Sequence, residues 1–268
     1  MKLSEINIYP IKSLKGIALK RSMVEDRGLR NDRRWMLTDE KGKFLTQRQF
    51  AVMAKVKVEL GENGLTAVSG RSRLELPMEP DTDERVSVSV WQSRVRAAPY
   101  SAEVNRWFSE ALGMECRLVR MPAGSRRIVS PHYAVRRFKD IVSFADGYPF
   151  MLIGQSSLDD LNSRLDEPVP MNRFRPSLVV SGGAPFEEDS WKKIRIGSTV
   201  FHLVKPCGRC VVTTIDQKKG VKAGPEPLAT LSTYRKKNGS VLFGQNMIAD
   251  AAGGELKLGD DVEVLERR

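Results

Sequence analysis

The sequence predicts a mainly β protein with some α-helix (α+β), arranged as two β-rich, barrel-like domains. Three observations predict this class. Many short segments alternate apolar and polar residues, few segments have a helical pattern, and no β-α-β repetition is present. A length of 268 residues leaves room for one large domain or two ordinary ones.

The first half is predicted to consist of short strands joined by turns and loops. Residues 6–9 form a strand, and the loop 10–16 that follows carries Lys12 and Ser13. Ser101 is predicted to cap a helix that ends at Gly113. Residues 52–60 alternate strictly, which is typical of a strand with one wet face. The predicted strands are 6–9, 33–38, 44–46, 52–60, 65–68, 86–90 and 116–119.

Between about residues 121 and 148 the alternation of apolar and polar residues stops, and the segment is basic and interrupted by glycine and proline. We place the domain boundary here, with domains at residues 1–122 and 123–268, and consider this segment a candidate mobile lid. Ser156 is predicted to cap a helix that stops before Pro168, and Pro227 to open a second short helix. The predicted strands of this half are 150–153, 177–180, 194–196, 199–204, 211–216, 241–243, 256–258 and 262–265.

Composition narrows the functional classes. Three cysteines in a chain of this length do not make a disulfide framework, so we expect a reducing, cytoplasmic compartment. No apolar signal core or membrane-spanning run is found, so no membrane contact is expected. The net charge of +11 calls for an anionic partner. The basic residues are scattered in pairs without a nucleic-acid-binding motif, so we expect no specific nucleic acid and consider a small phosphorylated ligand sufficient.

Residues 205–210, Lys-Pro-Cys-Gly-Arg-Cys, hold two of the three cysteines with an arginine between them, in an irregular link between two predicted strands. A zinc site needs two more ligands, and the available candidates (Cys116, His132 and His202) form no second ligand pair. An iron–sulfur cluster fails on cysteine count, and a redox disulfide of the thioredoxin type expects a helix after its first cysteine. A single thiolate on a cofactor-held metal, with Arg209 beside it for an anion, and two buried, inert cysteines both stay open.

Eight segments in order resemble one known family. They are residues 9–16, 32–36, 144–150, 161–165, 172–176, 188–191, 207–210 with 213–214, and 242–246. Each is weak alone, but their order along the chain is specific. The chain resembles a two-domain MOSC protein, in which an N-terminal MOSC-associated β-barrel domain precedes a MOSC domain. Within that family it resembles the amidoxime-reducing components of animals and their bacterial counterparts.

The resemblance implies a molybdenum cofactor, a pterin with a dithiolene arm and a phosphate, in a cleft between the two domains. Cys210 matches the catalytic cysteine that ligates molybdenum, a role that suits a soft thiolate. Arginine forks and a lysine suit the phosphate, and glycine lets backbone N–H groups approach an anion. The implied cofactor-binding residues are Lys12, Ser13, Arg33, Gly147, Tyr148, Arg175, Gly208, Arg209 and Asn246. Tyr148 and Asn246 depart from the animal pattern.

The resemblance also implies an oxidoreductase that reduces N-hydroxylated small molecules, such as amidoximes, hydroxylamines and N-hydroxylated bases. We expect no iron–sulfur cluster in this chain, so electrons come from a separate ferredoxin- or flavin-type donor, whose acidic surface would suit the positive charge. Asp146 and Asp216 are candidates for proton handling. The alternative is a molybdenum cofactor or sulfur carrier without turnover, because a MOSC domain also occurs at the C-terminus of the pyridoxal-phosphate-dependent sulfurase. No pyridoxal-phosphate domain is recognisable in this sequence.

Overall fold

The computed structural model describes residues 1–268, which form 21 strands, three α-helices and four short 3-10 helices. Up to residue 120 the chain contains one helix, α1 (Ala102–Leu112), among its strands. These strands are β1 (Lys2–Ile8), β2 (Ile17–Leu19), β3 (Arg21–Glu25), β4 (Gly28–Leu29), β5 (Trp35–Thr38), β6 (Lys57–Leu60), β7 (Gly64–Ser69), β8 (Ser72–Pro77), β9 (Val86–Val90), β10 (Ser93–Pro99) and β11 (Arg117–Arg120).

The rest of the chain contains two helices, α2 (Gln155–Asn162) and α3 (Leu228–Tyr234). Neither these nor α1 is long and apolar enough to cross a membrane. The strands are β12 (Phe150–Gly154), β13 (Leu178–Ser181), β14 (Trp191–Ile196), β15 (Thr199–Arg209), β16 (Ile215–Asp216), β17 (Val221–Lys222), β18 (Lys236–Lys237), β19 (Ser240–Ala249), β20 (Glu255–Lys257) and β21 (Val262–Arg267).

A nine-stranded sheet dominates the second half and recruits the start of the chain. Its order is β2-β1-β13-β12-β19-β15-β14-β21, with β18 paired to β19. Strand β1 runs antiparallel to β13, with Leu3 opposite Val180, and β3 pairs with β20, with Ser22 opposite Leu256. The buried core of this sheet accordingly takes five side chains from the first 29 residues: Leu3, Ile6, Ile8, Val24 and Leu29.

The first half contains the sheets β5-β11-β10-β9 and β6-β7-β8. A second core lies between α1, the strands β5 and β11, and the sheet β6-β7-β8, whereas β9 and β10 contribute to a third, smaller core. Helix α1 has the predicted ends, because the Ser101 hydroxyl accepts a hydrogen bond from the Val104 N–H at 3.4 Å and Gly113 adopts a left-handed φ of 68°. Trp35 is fully buried in the second core, and its indole N–H donates to the Tyr100 hydroxyl at 2.8 Å. The predicted α+β, β-rich fold class is confirmed.

Two strand predictions in the first half are wrong. The alternating residues 52–60 begin as a 3-10 helix, Ala51–Lys55, and become strand β6 only at Lys57. Met53 and Ala54 are adjacent and both buried, an arrangement that a strand with one wet face does not allow. Residues 44–46 form no named strand, although Phe44 makes isolated bridge contact with Thr38.

Two predictions around the second half also fail in detail. Gly154, not Ser156, is the N-cap of α2, and the Ser156 hydroxyl instead donates to the Gly183 carbonyl. The Cys-x-x-Cys segment is not a link between two strands. Strand β15 continues through Pro206 and Gly208 with shifts in register, which absorb the missing N–H of proline, and residues 211–214 form a 3-10 helix.

The segment between β11 and β12 contains no helix or strand, as its composition predicts. Hydrogen bonds from Arg127 hold this segment in place, because its guanidinium donates to the carbonyls of Ser143, Ala145 and Asp146. The segment therefore returns to the middle of the molecule at residues 143–148. The boundary between residues 122 and 123 stays a prediction, since the first strands belong to the sheet of the second half.

We expect Phe108→Ala to lower the free energy of unfolding by about 3–5 kcal/mol, because Phe108 is fully buried between α1 and its sheets and truncation leaves a cavity. Chemical denaturation followed by circular dichroism measures this change. Phe138→Ala is the matched control, since Phe138 is 58% exposed and its loss is expected to cost less than about 0.5 kcal/mol. Equal effects of the two changes would contradict the assigned core.

Candidate functional site

All ten site residues predicted from the sequence line one cleft, whose empty volume is about 940 Å³ including its open mouth. The loop after β1, the turn before β5 and residues 145–148 contribute one wall. The residue before Pro176, the end of β15 and the middle of β19 contribute the other. The predicted residues brought together here are Lys12, Ser13, Arg33, Gly147, Tyr148, Arg175, Gly208, Arg209, Cys210 and Asn246.

Three of these residues have a backbone conformation that non-glycine residues rarely adopt. The φ angles are 68° at Ser13, 50° at Arg33 and 56° at Arg175. Left-handed conformations cost energy for residues with a Cβ, and they persist where the surrounding structure imposes them, often at functional sites. The fold therefore holds these three side chains in the cleft at a conformational cost.

Tyr9 separates two of the guanidinium groups. Its ring lies 4.3 Å from the Arg33 guanidinium carbon and 4.1 Å from that of Arg175. Burial raises the pKa of Tyr9 to about 12, and its hydroxyl donates to the Pro176 carbonyl at 3.2 Å. The buried Asp32 carboxylate accepts from Arg33 Nη1 at 2.6 Å and from the Tyr9 N–H at 2.8 Å. Asp32 therefore balances Arg33, whereas Arg175 has no carboxylate partner.

Arg175 donates only to neutral oxygens. Its Nη2 lies 2.8 Å from the Leu14 carbonyl, and its Nη1 lies 3.4 Å from Gln217 Oε1. Burial lowers the pKa of Arg175 to about 10, so the side chain is still charged at neutral pH. A buried cation without a counter-ion is costly, and an anion bound in the cleft would offset that cost.

Arg209 is also poorly satisfied. Its Nη2 donates to the Phe174 carbonyl at 2.5 Å, but its Nη1 faces two sulfur atoms, Cys207 Sγ at 3.1 Å and Met151 Sδ at 2.9 Å. Sulfur is a weak acceptor, and the buried Arg209 Nε has no partner within the chain. These unsatisfied donors are a second indication that the cleft is built for an anion.

The two neighbouring cysteines have different surroundings. Cys210 Sγ accepts from Arg48 Nε at 3.4 Å, a contact that suits a negatively charged sulfur, whereas Cys207 contacts Arg209. Arg48 is a site residue that sequence reasoning missed, because it follows an unremarkable turn far from the cysteines in the chain. Cys116 lies outside the cleft, and burial raises the pKa of its thiol to about 11.

The zinc interpretation finds no support, since no group of three or more His, Cys, Asp or Glu side chains is placed to hold a metal ion. His202, one of the candidate ligands, instead pairs with Asp250 at 3.0 Å. A metal at Cys210 would need most of its ligands from a bound group. Of the two interpretations left open by the sequence, a single thiolate on a cofactor-held metal and two inert cysteines, the contact from Arg48 suits the first.

Asp146 is the acidic side chain that lines the cleft, and it pairs with Lys12 at 2.5 Å between Oδ1 and Nζ. Burial lowers the pKa of Lys12 despite the attraction of Asp146. The Asp146 side chain is 63% solvent-accessible. Crowding works to raise the pKa of its carboxyl, yet the Lys12 ammonium overcomes this and holds the pKa well below its usual range. Asp146 is therefore ionised at neutral pH and poorly suited to donate a proton.

The other candidate for proton handling lies elsewhere. The Asp216 carboxylate accepts from the backbone N–H groups of Lys218 at 2.8 Å and Lys219 at 2.9 Å. It shapes a turn after β16 and does not line the cleft. The structure therefore gives Asp216 a structural role.

The remaining predicted residues of the cleft make few contacts within the chain. A Cβ added at Gly147 would meet nothing within 4 Å, and one at Gly208 would meet nothing nearer than 3.7 Å, so packing within the chain does not require either glycine. Asn246 Nδ2 donates weakly to the Pro206 carbonyl at 3.5 Å. Burial raises the pKa of Tyr148, which packs edge-on against Tyr133.

Comparison of the sequence with known proteins shows the family to which the chain belongs. Residues 1–115 match the MOSC N-terminal beta barrel domain, and residues 139–263 match the MOSC domain. The chain belongs to the MOSC family. It is 32% identical to mitochondrial amidoxime-reducing component 1 of Mus musculus, over 98% of this chain and 82% of the mouse protein. The human protein of the same name is 31% identical over the same shares of the two chains.

This MOSC protein is also 36% identical to molybdenum cofactor sulfurase of Oryza sativa subsp. japonica, over 90% of this chain and 32% of the rice protein. The chain thus spans about a third of the length of the sulfurases that it matches. The name of the sulfurase relatives refers to the molybdenum cofactor.

The residues present fit that cofactor. Five cations line the cleft against one accessible carboxylate, and Arg175 and Arg209 lack anionic partners, as a phosphate site requires. The sulfur of Cys210 supplies a soft donor. The cations are Lys12, Arg33, Arg48, Arg175 and Arg209.

Proposed function

We propose that this MOSC protein is a molybdenum-cofactor-dependent oxidoreductase that reduces N-hydroxylated compounds, such as amidoximes, hydroxylamines and N-hydroxylated bases. One observation carries the proposal: a single cleft combines a thiol beside a guanidinium with cations that lack counter-ions. The similarity to amidoxime-reducing components over nearly the whole chain supports the same reaction.

In this proposal Cys210 ligates the metal, and Arg175 and Arg209 hold the anionic part of the cofactor. Arg33 is already balanced by Asp32 and supports the position of Tyr9 between the guanidiniums. When bound, the cofactor supplies a redox centre that can take an oxygen atom from an N–OH group. The balanced reaction consumes the N-hydroxylated compound, two electrons and two protons, and yields the amine or amidine and water.

The chain's own residues bind and orient the reactants. The cations raise the affinity of the cleft for anions, and Tyr148, Phe174 and Met151 add apolar surface to its lining. Asp146 is held as an anion by Lys12 and is available as a hydrogen-bond acceptor. Because its carboxyl is a weak proton source at neutral pH, we assign the protons to solvent.

The direct test uses protein purified from a host that makes the cofactor. We expect about one molybdenum per chain by elemental analysis, and conversion of benzamidoxime to benzamidine when reduced methyl viologen is supplied. Loaded protein that converts no N-hydroxylated compound with chemical or protein donors would contradict the proposed reaction.

A second candidate function is that of a cofactor or sulfur carrier without turnover. It is favoured by the match to molybdenum cofactor sulfurases, with 36% identity to the rice protein. Cys207 is partly exposed and near Arg209, a place where a sulfur atom could be carried as a persulfide. Transfer of labelled sulfur or of cofactor to an acceptor protein, by a chain inactive on benzamidoxime, would favour this function.

We further expect that NADH or NADPH alone does not support reduction, because the chain has no nucleotide-binding glycine fingerprint and too few cysteines for a cluster. With a reduced, acidic ferredoxin as donor, turnover should fall as salt rises from 20 to about 300 mM, since screening weakens attraction to a chain of net charge +11. Turnover with reduced methyl viologen is the control and should depend much less on salt. Turnover with NADH alone would contradict the expectation.

A further inference from the structure

A groove opens directly beside the cleft, and we call it the Trp91 groove. It is lined by Phe44, Trp91, Gln92 and Ile128, among others, and it shares several wall residues with the cleft. The shared residues are Thr46, Arg48, Asp146, Gly147 and Tyr148. A molecule in this groove would therefore lie against the same walls as the candidate reaction centre.

Trp91 occupies an unfavourable backbone position. It is the first residue of the two-residue turn between β9 and β10, and its φ is 54°. In a two-residue hairpin turn, a first residue with positive φ is usually glycine, asparagine or aspartate, and a bulky side chain there is strained. Trp91 is nevertheless present with 47% of its surface exposed, so burial does not account for it.

The indole is held in a defined orientation. Its Nε1–H donates to Asp146 Oδ1 at 3.2 Å, and Phe44 packs against it edge-on at 5.0 Å between ring centroids. The Arg48 guanidinium lies 4.4 Å from the ring, and the same guanidinium donates to Cys210 Sγ. One side chain, Arg48, thus contacts both the aromatic wall of the groove and the candidate metal ligand.

The groove also offers an acceptor for N–H groups. Asp146 Oδ1 takes both Lys12 Nζ and Trp91 Nε1, whereas Asp146 Oδ2 makes no hydrogen bond within the chain. An ionised carboxylate oxygen beside a half-exposed indole matches a flat molecule that carries N–H donors at its edge.

We infer that the Trp91 groove is the substrate subsite and that it takes planar aromatic substrates, in which the N-hydroxylated nitrogen is conjugated with an aryl or heteroaryl ring. The ring stacks on Trp91 and an N–H donates to Asp146, which places the N–OH group towards the cleft that contains Cys210. This inference rests on the proposed function for its reaction, but the stacking site itself is testable without turnover.

The first test measures binding of adenine, an unreactive planar amine, by equilibrium dialysis. Stacking of a base on an aromatic side chain contributes substantially, so Trp91→Ala is expected to weaken adenine binding roughly tenfold, whereas Trp91→Phe should retain most of it. Trp107→Phe is the matched control, since Trp107 lies on α1 and donates to Ser72 outside the groove. Equal affinity of the wild type and Trp91→Ala would overturn the inference.

The second test compares benzamidoxime with acetamidoxime in loaded protein supplied with reduced methyl viologen. Trp91→Ala should raise the ratio of KM for benzamidoxime to KM for acetamidoxime roughly tenfold, because only benzamidoxime has a ring that can stack on the indole. An equal loss for both substrates would overturn the assignment of aromatic selectivity. If no variant turns over either compound but adenine binding still depends on Trp91, the proposed reaction fails and the aromatic subsite stands.

Discussion

Cys210→Ala is expected to abolish the reduction of N-hydroxylated compounds by protein that still folds. A methyl group cannot replace a metal-bound thiolate, so the loss should exceed the roughly 10- to 100-fold that removal of an outer-shell partner costs. The measurement is turnover of benzamidoxime with reduced methyl viologen, accompanied by elemental analysis of molybdenum. Thermal unfolding of the variant shows whether it has folded.

Cys207→Ala is the matched control, because both cysteines are partly exposed and lie three residues apart. Cys207 Sγ is contacted by Arg209 Nη1, and Arg209 retains its bond to the Phe174 carbonyl without it. This variant should retain most of the activity. Equal loss of activity in the two variants would contradict single-cysteine ligation and favour a site that uses both sulfur atoms.

Arg175→Ala is expected to lower cofactor occupancy more than it lowers the stability of the cofactor-free chain. Each lost charge-assisted contact should cost about 1.5–3 kcal/mol of cofactor binding, which corresponds to roughly 10- to 150-fold in affinity. The stability effect should be smaller, because removing this partly buried cation, which has no counter-ion, also removes its desolvation cost. Pterin content after purification and the denaturation midpoint of the cofactor-free chain measure the two effects.

Arg195→Ala is the control for loss of a positive charge, since Arg195 lies on β14, is about half exposed and pairs with Glu263 outside the cleft. Its cofactor content should match that of the wild type. Arg209→Ala should behave like Arg175→Ala, because Arg209 also lacks an anionic partner. Unchanged cofactor content in both cleft variants would refute the assignment of these two arginines to the cofactor phosphate.

Local sequence signals predicted the parts of this fold that depend on neighbouring residues. The ends of α1 follow from Ser101 and Gly113, whose capping preferences act within a few residues. The prediction for residues 52–60 failed because the alternation of side chains does not reveal which face the tertiary structure covers. Burial of both Met53 and Ala54 is decided by packing against other segments of the chain.

The candidate site was predicted by resemblance and not by local pattern. Motifs that surround Lys12, Arg175 and Cys210 are recognisable as segments in order, and the structure brings them into one cleft. Arg48 and Trp91 carry no such signal. Arg48 contacts Cys210 just after β15, and Trp91 lies against Arg48. The spacing of residues in the sequence encodes neither contact.

The pairing of β1 with β13 and of β3 with β20 has a consequence for the order in which the protein can fold during synthesis. Leu3 lies opposite Val180 and Ser22 opposite Leu256, so β1 and β3 leave the ribosome well before the strands with which they pair have been made. At a synthesis rate of about 5–20 residues per second, the apolar faces of β1 and β3 stay unpaired for roughly ten seconds or longer. The sheets around α1 can form meanwhile, because their strands are near one another in sequence. The cleft, which needs both halves, is therefore completed last.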